Sequence, residues 1–420
     1  MPAIVKQIIG DFWYPITLLL IGVMFLDQLQ GLGWAWSLAP YWICGVGIVF
    51  ATRFHRSRIA FALILILIAF HSATFLLTSG APDDSVTGQV IYPALAFLLP
   101  INFVVLAFLR ERGVLTLWGG YRLSLIANQI VFVALFSSGL LGLLSVENEA
   151  ALNAFWADLL HARMFAPEFD YWTYLPQPAL LATFVCAIAL LGRYAFWGTP
   201  VESGFLAAMM ATMLGLHYIA EAQDAAVLFS VAGLILGATL IHDVYRMAFL
   251  DELTGLPARR ALLSTLSSLS GRYTIAMLDI DHFKKFNDTH GHDVGDQVLR
   301  MVANCLAGVK GGGRAFRYGG EEFTIVFSSK SAADAMPYLE AVREAVGATE
   351  FVLRGDDRPK RKPKDGKPLK PRNPRNTVHV TISVGVAEKN PDHGGPDEVM
   401  RSADTALYRA KDAGRNNVSF

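Results

Sequence analysis

RYGGEEFTIVF, residues 317–327, sets two glycines and two adjacent glutamates directly before a run of strand-forming residues. The stretch reads as part of a hairpin over 314–328 with its turn at Gly319 and Gly320. Glycines at such a turn tolerate positive φ and let the backbone approach a bulky anion, while Glu321 and Glu322 face whatever sits there. Two carboxylates beside a phosphate repel it unless a cation lies between, and Mg²⁺ is usually held by one or two carboxylates together with phosphate oxygens. The hairpin therefore needs an acidic partner from elsewhere. MLDIDHFKKFND, residues 277–288, supplies Asp279 at the end of a strand and Asp281 two residues on. In a two-metal arrangement the ions, about 3.5–4 Å apart, clamp the attacking and leaving oxygens of a phosphoryl displacement. Taken alone, the GGEE run reads first as a solvated hairpin tip.

The flanking sequence predicts a helix over 258–270, a strand over 273–279, an amphipathic helix over 294–309, a helix over 331–347, strands over 349–354 and 377–387, and a helix over 397–413. That order describes an α/β sandwich built on one sheet. Upstream the composition changes. The chain has 420 residues, 53% of them hydrophobic and only 17% charged, and the apolar excess lies between Phe12 and about Ile241. A bilayer core of roughly 30 Å needs about 20 apolar helical residues. Eight segments meet that length approximately: 12–30, 34–52, 59–78, 91–109, 122–144, 176–196, 202–220 and 225–243.

Positive charge alternates between the loops. Arg53, Arg56 and Arg58 follow the second segment, Arg110, Arg112 and Arg122 flank the link from the fourth to the fifth, and Arg193 and Arg246 close the sixth and eighth. DQLQGLG, SGAPDDSVTGQ and AEAQD carry neither Lys nor Arg, and 145–175 has only Arg163. The positive-inside rule then places both termini in the cytoplasm. The first apolar stretch lacks a small-residue cleavage pattern, so no cleavable signal peptide is read. Cys44, Cys186 and Cys305 share no motif spacing and read as structural thiols. Zero net charge gives no global sign of nucleic-acid binding. His71, His217 and Glu221 near the ends of apolar segments are candidates for a sensory ligand, with packed or hydrogen-bonded histidines as the plainer account. Asn102, Asn128 and Gln129 read as hydrogen-bonding links between helices, and Trp13, Trp34, Trp36, Trp42 and Trp172 suit interfacial belts.

Four ordered blocks, DELTGLPARR (251–260), DIDHFKKFNDTHGHDVGD (279–296), RYGGEEF (317–323) and ADTALYRAKDAGRN (403–416), resemble the GGDEF family of diguanylate cyclases. The resemblance implies an α/β GGDEF domain at 258–420, with a mixed sheet flanked by helices in a nucleotide-cyclase or palm-like arrangement. An all-α polytopic membrane sensory domain at 1–245 and a short linker and turn at 246–257 precede it. It also implies a homodimer through the catalytic domains, each binding one GTP, in which the 3′-hydroxyl of each nucleotide attacks the α-phosphate of the other to give cyclic di-GMP and two pyrophosphates. Carried over by matched position, Asp279, the Ile280 carbonyl and Glu321 hold Mg²⁺, two ions per site with Mn²⁺ as the alternative, and Glu322 assists the second metal or deprotonates the hydroxyl. Asn287 and Asp296 read the guanine edge, and Lys284, Lys411 and Arg415 hold the triphosphate; Phe283, His292, Gly319 and Gly320 complete the implied substrate-binding set.

Each role has a physical basis and a plainer competitor. A carboxylate facing the guanine N1 and N2 donors rejects adenine, yet Gly295-Asp296 also reads as a helix N-cap. Lys411 and Arg415, four residues apart near a helix end, could simply complement the helix dipole. The product-inhibition motif of many family members, Arg-x-x-Asp, is here Lys310-Gly311-Gly312-Gly313, which predicts little inhibition through that position. The segment 354–376 is Pro-rich and strongly basic, and reads as a solvated insertion or, more sharply, as a patch docking on the anionic inner leaflet. The whole implies a multi-pass protein of the bacterial inner membrane, with GTP, a second copy and membrane lipid as partners, an unidentified sensory ligand and no nucleic acid. The rival reading is a catalytically silent receptor that binds GTP or cyclic di-GMP and signals by interaction.

Overall fold

The structure, a computed structural model, describes residues 3–26, 28, 35–78, 86–137, 146–164, 166, 172–352 and 377–420. The chain forms two compact units, Met1–Val244 and Tyr245–Phe420. The basic segment 354–376 lies outside the described residues, as does Trp34.

Among the described residues the first unit is all helix: α1 (Ala3–Met24), α2 (Ala35–Arg53), α3 (Ser57–Thr78), α4 (Val86–Phe108), α5 (Leu117–Ser137), α6 (Val146–Leu160), α7 (Gln177–Trp197), α8 (Pro200–His217) and α9 (Ala222–Phe249), the last running on into the second unit. Four stretches are long and apolar enough to cross a membrane, Ser57–Leu76, Gln89–Phe108, Gln177–Trp197 and Ala222–Phe249, with a shorter apolar helix at Ile8–Met24. The other expected segments also coil into helices; of these, α5 is diluted by Arg122, Asn128 and Gln129, and α8 by Glu202 and His217. Helix α6 was not anticipated, because Glu147, Glu149 and Asp158 interrupt its apolar pattern.

The arginine-bearing loops meet through ion pairs. Arg58 Nε lies 2.8 Å from Glu111, Arg193 Nε lies 3.0 Å from Glu202, and Arg56 Nε lies 2.9 Å from Asp243. Asn102 on α4 donates to Gln129 on α5 at 2.8 Å, an interhelical link of the kind anticipated. Asn128 instead faces Ser124 within its own helix. His71 pairs with Tyr41 at 3.1 Å and His217 with Thr173 at 2.9 Å, and no metal-binding cluster of His, Cys, Asp or Glu occurs among the described residues.

The second unit runs α10 (Arg259–Ser267), β1 (Thr274–Ile280), α11 (Phe283–His290), α12 (His292–Ala307), β2 (Gly313–Gly319), β3 (Glu322–Phe327), α13 (Ala332–Ala348), β4 (Phe351–Val352), β5 (Thr377–Val378), β6 (Ile382–Glu388), α14 (Pro396–Asp412) and β7 (Val418–Ser419). The sheet order is β2-β3-β1-β6-β7, antiparallel except for the parallel pair β6/β7, so the sheet is mixed. Strand β1 is central and buried on both faces, as its TIAMLDI sequence allows. Its alternation sorts the core: Ala276, Leu278 and Ile280 pack with Val298, Val302 and Leu306 of α12 and Leu339 and Val346 of α13. Ile275 and Met277 point to the opposite face, where α10 and α14 lie.

Two details of this sheet position the site. A Cβ on Gly385 of β6 would run into backbone atoms of Ala403 and Leu407, so glycine there lets α14 settle against the strand. The expected continuous strand over 377–387 is broken at 379–381; beside the break the Asp281 amide donates to the Thr381 carbonyl at 2.9 Å and the Asp281 carboxylate accepts from the Thr381 hydroxyl at 2.6 Å.

Candidate active site

Register decides which acids can meet. Asp279 on β1 lies directly opposite Glu322 on β3, and directly opposed residues in an antiparallel pair share a face. Parity with Ile275 and Met277 puts that face under α14. Lys411 follows Leu407 by four residues and therefore projects from the packed side of α14, where its Nζ lies 2.9 Å from Asp279 Oδ1.

The hairpin differs by one residue from the sequence reading. A bulge between Arg317 and Gly319 shifts the register, so the turn falls at Gly320 and Glu321, with Gly320 at φ +51°. Gly319 has open space where a side chain would stand, leaving its backbone bare to an approaching group. Glu321 thus sits in the turn and Glu322 opens the strand.

Burial is the main cause that raises the Asp279, Glu321 and Glu322 carboxyls above their ordinary range. The Lys411 hydrogen bond and charge pull Asp279 back down, and Asp281 pushes it up. Glu321 is raised further by Asp279 and Glu322, and Glu322 by Asp279 and Asp404. Three carboxyls raised by burial and crowded by neighbouring acids suit a hard cation, whose charge would offset that repulsion. The chemistry of this donor set fits Mg²⁺, although the three side chains are not already gathered at metal-binding distance. Lys411 supplies the positive charge to Asp279 instead. Asp281 is not available for a cation: it is buried, and its carboxylate also accepts from the Ser383 hydroxyl at 2.6 Å and the Asn416 amide at 3.1 Å. Ile280 is fully inside the core, with only its backbone to offer.

The second cluster forms where α11 meets α12. Gly291, at φ +84°, separates the two helices and folds one back on the other. A Cβ on Gly295 would collide with Asn287 Oδ1, so the bare α12 backbone makes room for that amide. Asn287 Oδ1 is buried and has no hydrogen-bond partner among the described residues. Asp296 is half-buried and makes no hydrogen bond or ion pair among the described residues. It is not a cap: the helix starts at His292 after Gly291, so Asp296 stands inside its first turns. His292 is exposed at the helix start, Lys284 is exposed on α11, and the Phe283 ring is buried in the core. Arg415 lies beyond α14 in a left-handed turn at φ +66°, so it is not on one helix face with Lys411. Its charge still reaches Asp279.

Arg317 is the residue to which the sequence reading gave no role. Its Nη1 lies 2.7 Å from Asp251 Oδ1, its Nη2 donates to the Gly320 carbonyl at 2.8 Å, and its backbone amide donates to the Pro257 carbonyl at 2.9 Å. It ties the DELTGLP turn to the glycine turn. Burial alone would raise the Asp251 carboxyl, but hydrogen bonds from Thr254 and Arg317 outweigh it and hold the group below its ordinary range. Opposite charges in the two blocks, DELT and RYGG, were the available signal.

At 310–313 the loop cannot accept an Arg-x-x-Asp motif as it stands. A Cβ on Gly313 would stand 2.8 Å from Phe327 Cε1, and Gly311, at φ +70°, is covered by the Tyr338 ring.

Residues 248–361 and 367–417 match the family described as "Diguanylate cyclase, GGDEF domain". The probable diguanylate cyclase DgcF of Escherichia coli K12 is 30% identical over 258 residues, covering 59% of this chain and 74% of that protein. The response regulator PleD of Caulobacter vibrioides is 37% identical over 180 residues, 41% of this chain and 36% of PleD. Among solved structures, the GGDEF domain of DgcB from Caulobacter crescentus in complex with c-di-GMP is 34% identical, covering 41% of this chain and 92% of that one, with a TM-score of 0.34. The chain belongs to the diguanylate cyclase GGDEF family. It spans about a third of the length of PleD and about half that of diguanylate cyclase VdcA of Vibrio cholerae, 36% and 48% respectively.

Proposed function

We propose that the protein is a membrane-bound diguanylate cyclase that condenses two GTP into cyclic di-GMP and two pyrophosphates within a homodimer. The observation that carries this reading is Asp279 and Glu322 side by side on one sheet face, both raised above the ordinary carboxylate range chiefly by burial, with neighbouring acids adding to it. In the proposed reaction Glu322 accepts the proton of a 3′-hydroxyl, the oxygen bonds to the α-phosphorus of the GTP held by the partner, and the bond to pyrophosphate breaks. Asp279, the Ile280 carbonyl and Glu321 would hold Mg²⁺, or Mn²⁺ in its place. Such ions, when bound, neutralise phosphate charge and favour the alkoxide. Lys411 transfers its ammonium from Asp279 to the triphosphate, with Lys284 and Arg415 alongside. The buried Asn287 acceptor and the uncommitted Asp296 carboxylate take the guanine N2 and N1 donors, which adenine lacks in that pattern.

The first unit is proposed to anchor the protein in the bacterial inner membrane and to regulate the second. Four apolar helices of crossing length support the anchor. Both termini are proposed to lie in the cytoplasm with eight spans as the full count, a reading supported by the alternation of arginine between the segment ends. The purified full chain is to be incubated with GTP and Mg²⁺ and the product weighed by mass spectrometry beside Glu322→Gln. Cyclic di-GMP formed by the parent and lost in the variant supports the reading. GTP bound without turnover would favour a silent receptor instead.

A further inference from the structure

The arginine-bearing end of the first unit holds a cavity of about 400 Å³ between the end of α4 and the first half of α5. Its apolar lining includes the buried Leu106 and Ile126, the half-buried Leu109 and the exposed Leu125. Arg110, Arg112 and Arg122 line the rim together with Trp118 and Tyr121.

Two of these cations have no acidic partner among the described residues. Glu111 is the acid between Arg110 and Arg112 in sequence, and its carboxylate already takes Arg58 Nε at 2.8 Å and the Ser57 hydroxyl at 2.9 Å. Arg122 is buried and committed inward, donating to Ser57 Oγ at 2.5 Å and to the Arg110 carbonyl. It contributes charge to the rim without moving. Arg110 and Arg112 are exposed and form no ion pair among the described residues. The Arg112 guanidinium carbon lies 4.0 Å from the centre of the Trp118 ring, a cation–π contact.

An apolar lining beside three guanidinium groups discriminates among occupants. A small hydrated anion gains nothing from the lining, and a neutral lipid leaves the cations unanswered. We propose that this cavity binds an anionic phospholipid, with its phosphate on Arg110 and Arg112 and the upper part of an acyl chain along Leu106, Leu109 and Leu125. Basic pockets between membrane helices on the cytoplasmic side take anionic headgroups by the same physics, each nearby arginine contributing on the order of 1 kcal/mol. The inference rests on the membrane reading of the first unit.

The full chain is reconstituted in vesicles of phosphatidylcholine and phosphatidylglycerol, with one or the other lipid carrying brominated chains. Quenching of Trp118 is isolated by difference from Trp118→Phe. Brominated phosphatidylglycerol is expected to quench Trp118 in preference to brominated phosphatidylcholine. Replacing both arginines (Arg110→Gln with Arg112→Gln) is expected to lower that preference roughly thirty-fold, about fivefold per arginine. The Arg110→Lys, Arg112→Lys pair keeps the charge and most of the preference, which separates lost charge from a damaged fold. Equal quenching by the two lipids, or a preference that survives the glutamine variant, overturns the proposal. Displacement by millimolar inorganic phosphate overturns it in favour of a soluble anion. Trp118 shielded from both lipids while other tryptophans are quenched overturns it in favour of a second copy over the cavity. If no tryptophan is quenched by either lipid, the membrane reading itself has failed.

Discussion

Arg317→Ala is the perturbation with the most to lose in the second unit. The side chain is only 13% exposed and that of Asp251 is 23% exposed, so the pair lies between a surface bridge and a buried one. Asp251 keeps its hydrogen bonds from the Thr254 amide and hydroxyl after the change, so it is not orphaned, and the loss of the pair is worth about 1–2 kcal/mol. The Gly320 carbonyl loses two guanidinium donors, at 3.2 and 2.8 Å, for about 1 kcal/mol more. The sum, about 2–3 kcal/mol, predicts a Tm lower by roughly 5–10 °C for a unit of this size. Amide hydrogen exchange on the full chain is the sharper assay, because one guanidinium joins two segments distant in sequence. Residues 250–257 and 318–322 are expected to lose protection together, and Asp251→Ala in the Arg317→Ala background is expected to add less than it does alone. GTP turnover is expected to fall as well, since Glu321 and Glu322 lose the fixed turn that aims them. Exchange that changes in only one of the two segments, or a destabilisation under about 0.5 kcal/mol, would show that the link is incidental.

Three other predictions follow from the same geometry. Gly385→Ala drives a methyl into the backbone of α14 and is expected to cost about 1–3 kcal/mol by urea unfolding while weakening GTP binding through a displaced Lys411; unchanged binding would break the connection between Gly385 and Lys411. Asn287→Ala removes an unpaired buried acceptor, so stability is expected to hold or rise while GTP affinity falls about 5- to 100-fold with little change for ATP; an equal loss for both nucleotides would remove Asn287 from base recognition. Asp279, Glu321 and Glu322 have raised folded-state pKa values, so their contribution to stability is present below the ordinary carboxylate range and is lost as pH rises through the folded values. Mg²⁺ is therefore expected to raise Tm more at pH 8 than at pH 5, whereas the opposite order would contradict the cation assignment. Asp251 has the opposite sign: its contribution is present above the ordinary range and is lost only as pH falls through a depressed value.

Much of this site could be read from the chain, and the failures have identifiable causes. Strand β1 was legible because YTIAMLD alternates and ends in an acid, and its pairing with the glutamate hairpin followed from the need for a second carboxylate. Helix α11 was missed because FKKFNDTH holds only two apolar side chains and begins after His282 in a left-handed conformation, with no capping residue to announce it. The same gap moved the start of α12 too late and turned Asp296 into a cap. Arg415 was placed on a helix that ends at Asp412, since a non-glycine residue at positive φ leaves no mark in sequence. Asp281, noted in the sequence only as an acid two residues beyond Asp279, is engaged by Thr381, Ser383 and Asn416, contacts across a hundred residues or more that periodicity cannot carry.

The central claim is that Asp279 gives up its contact with Lys411 and joins Glu321 on a divalent cation when nucleotide arrives. A structure of the chain with a non-hydrolysable GTP analogue and Mg²⁺ measures this directly. The account predicts both carboxylates on the ion, and Lys411 Nζ moved from its 2.9 Å contact with Asp279 onto a phosphate. Nucleotide bound with that contact intact and no ion between the acids and the phosphates would contradict it.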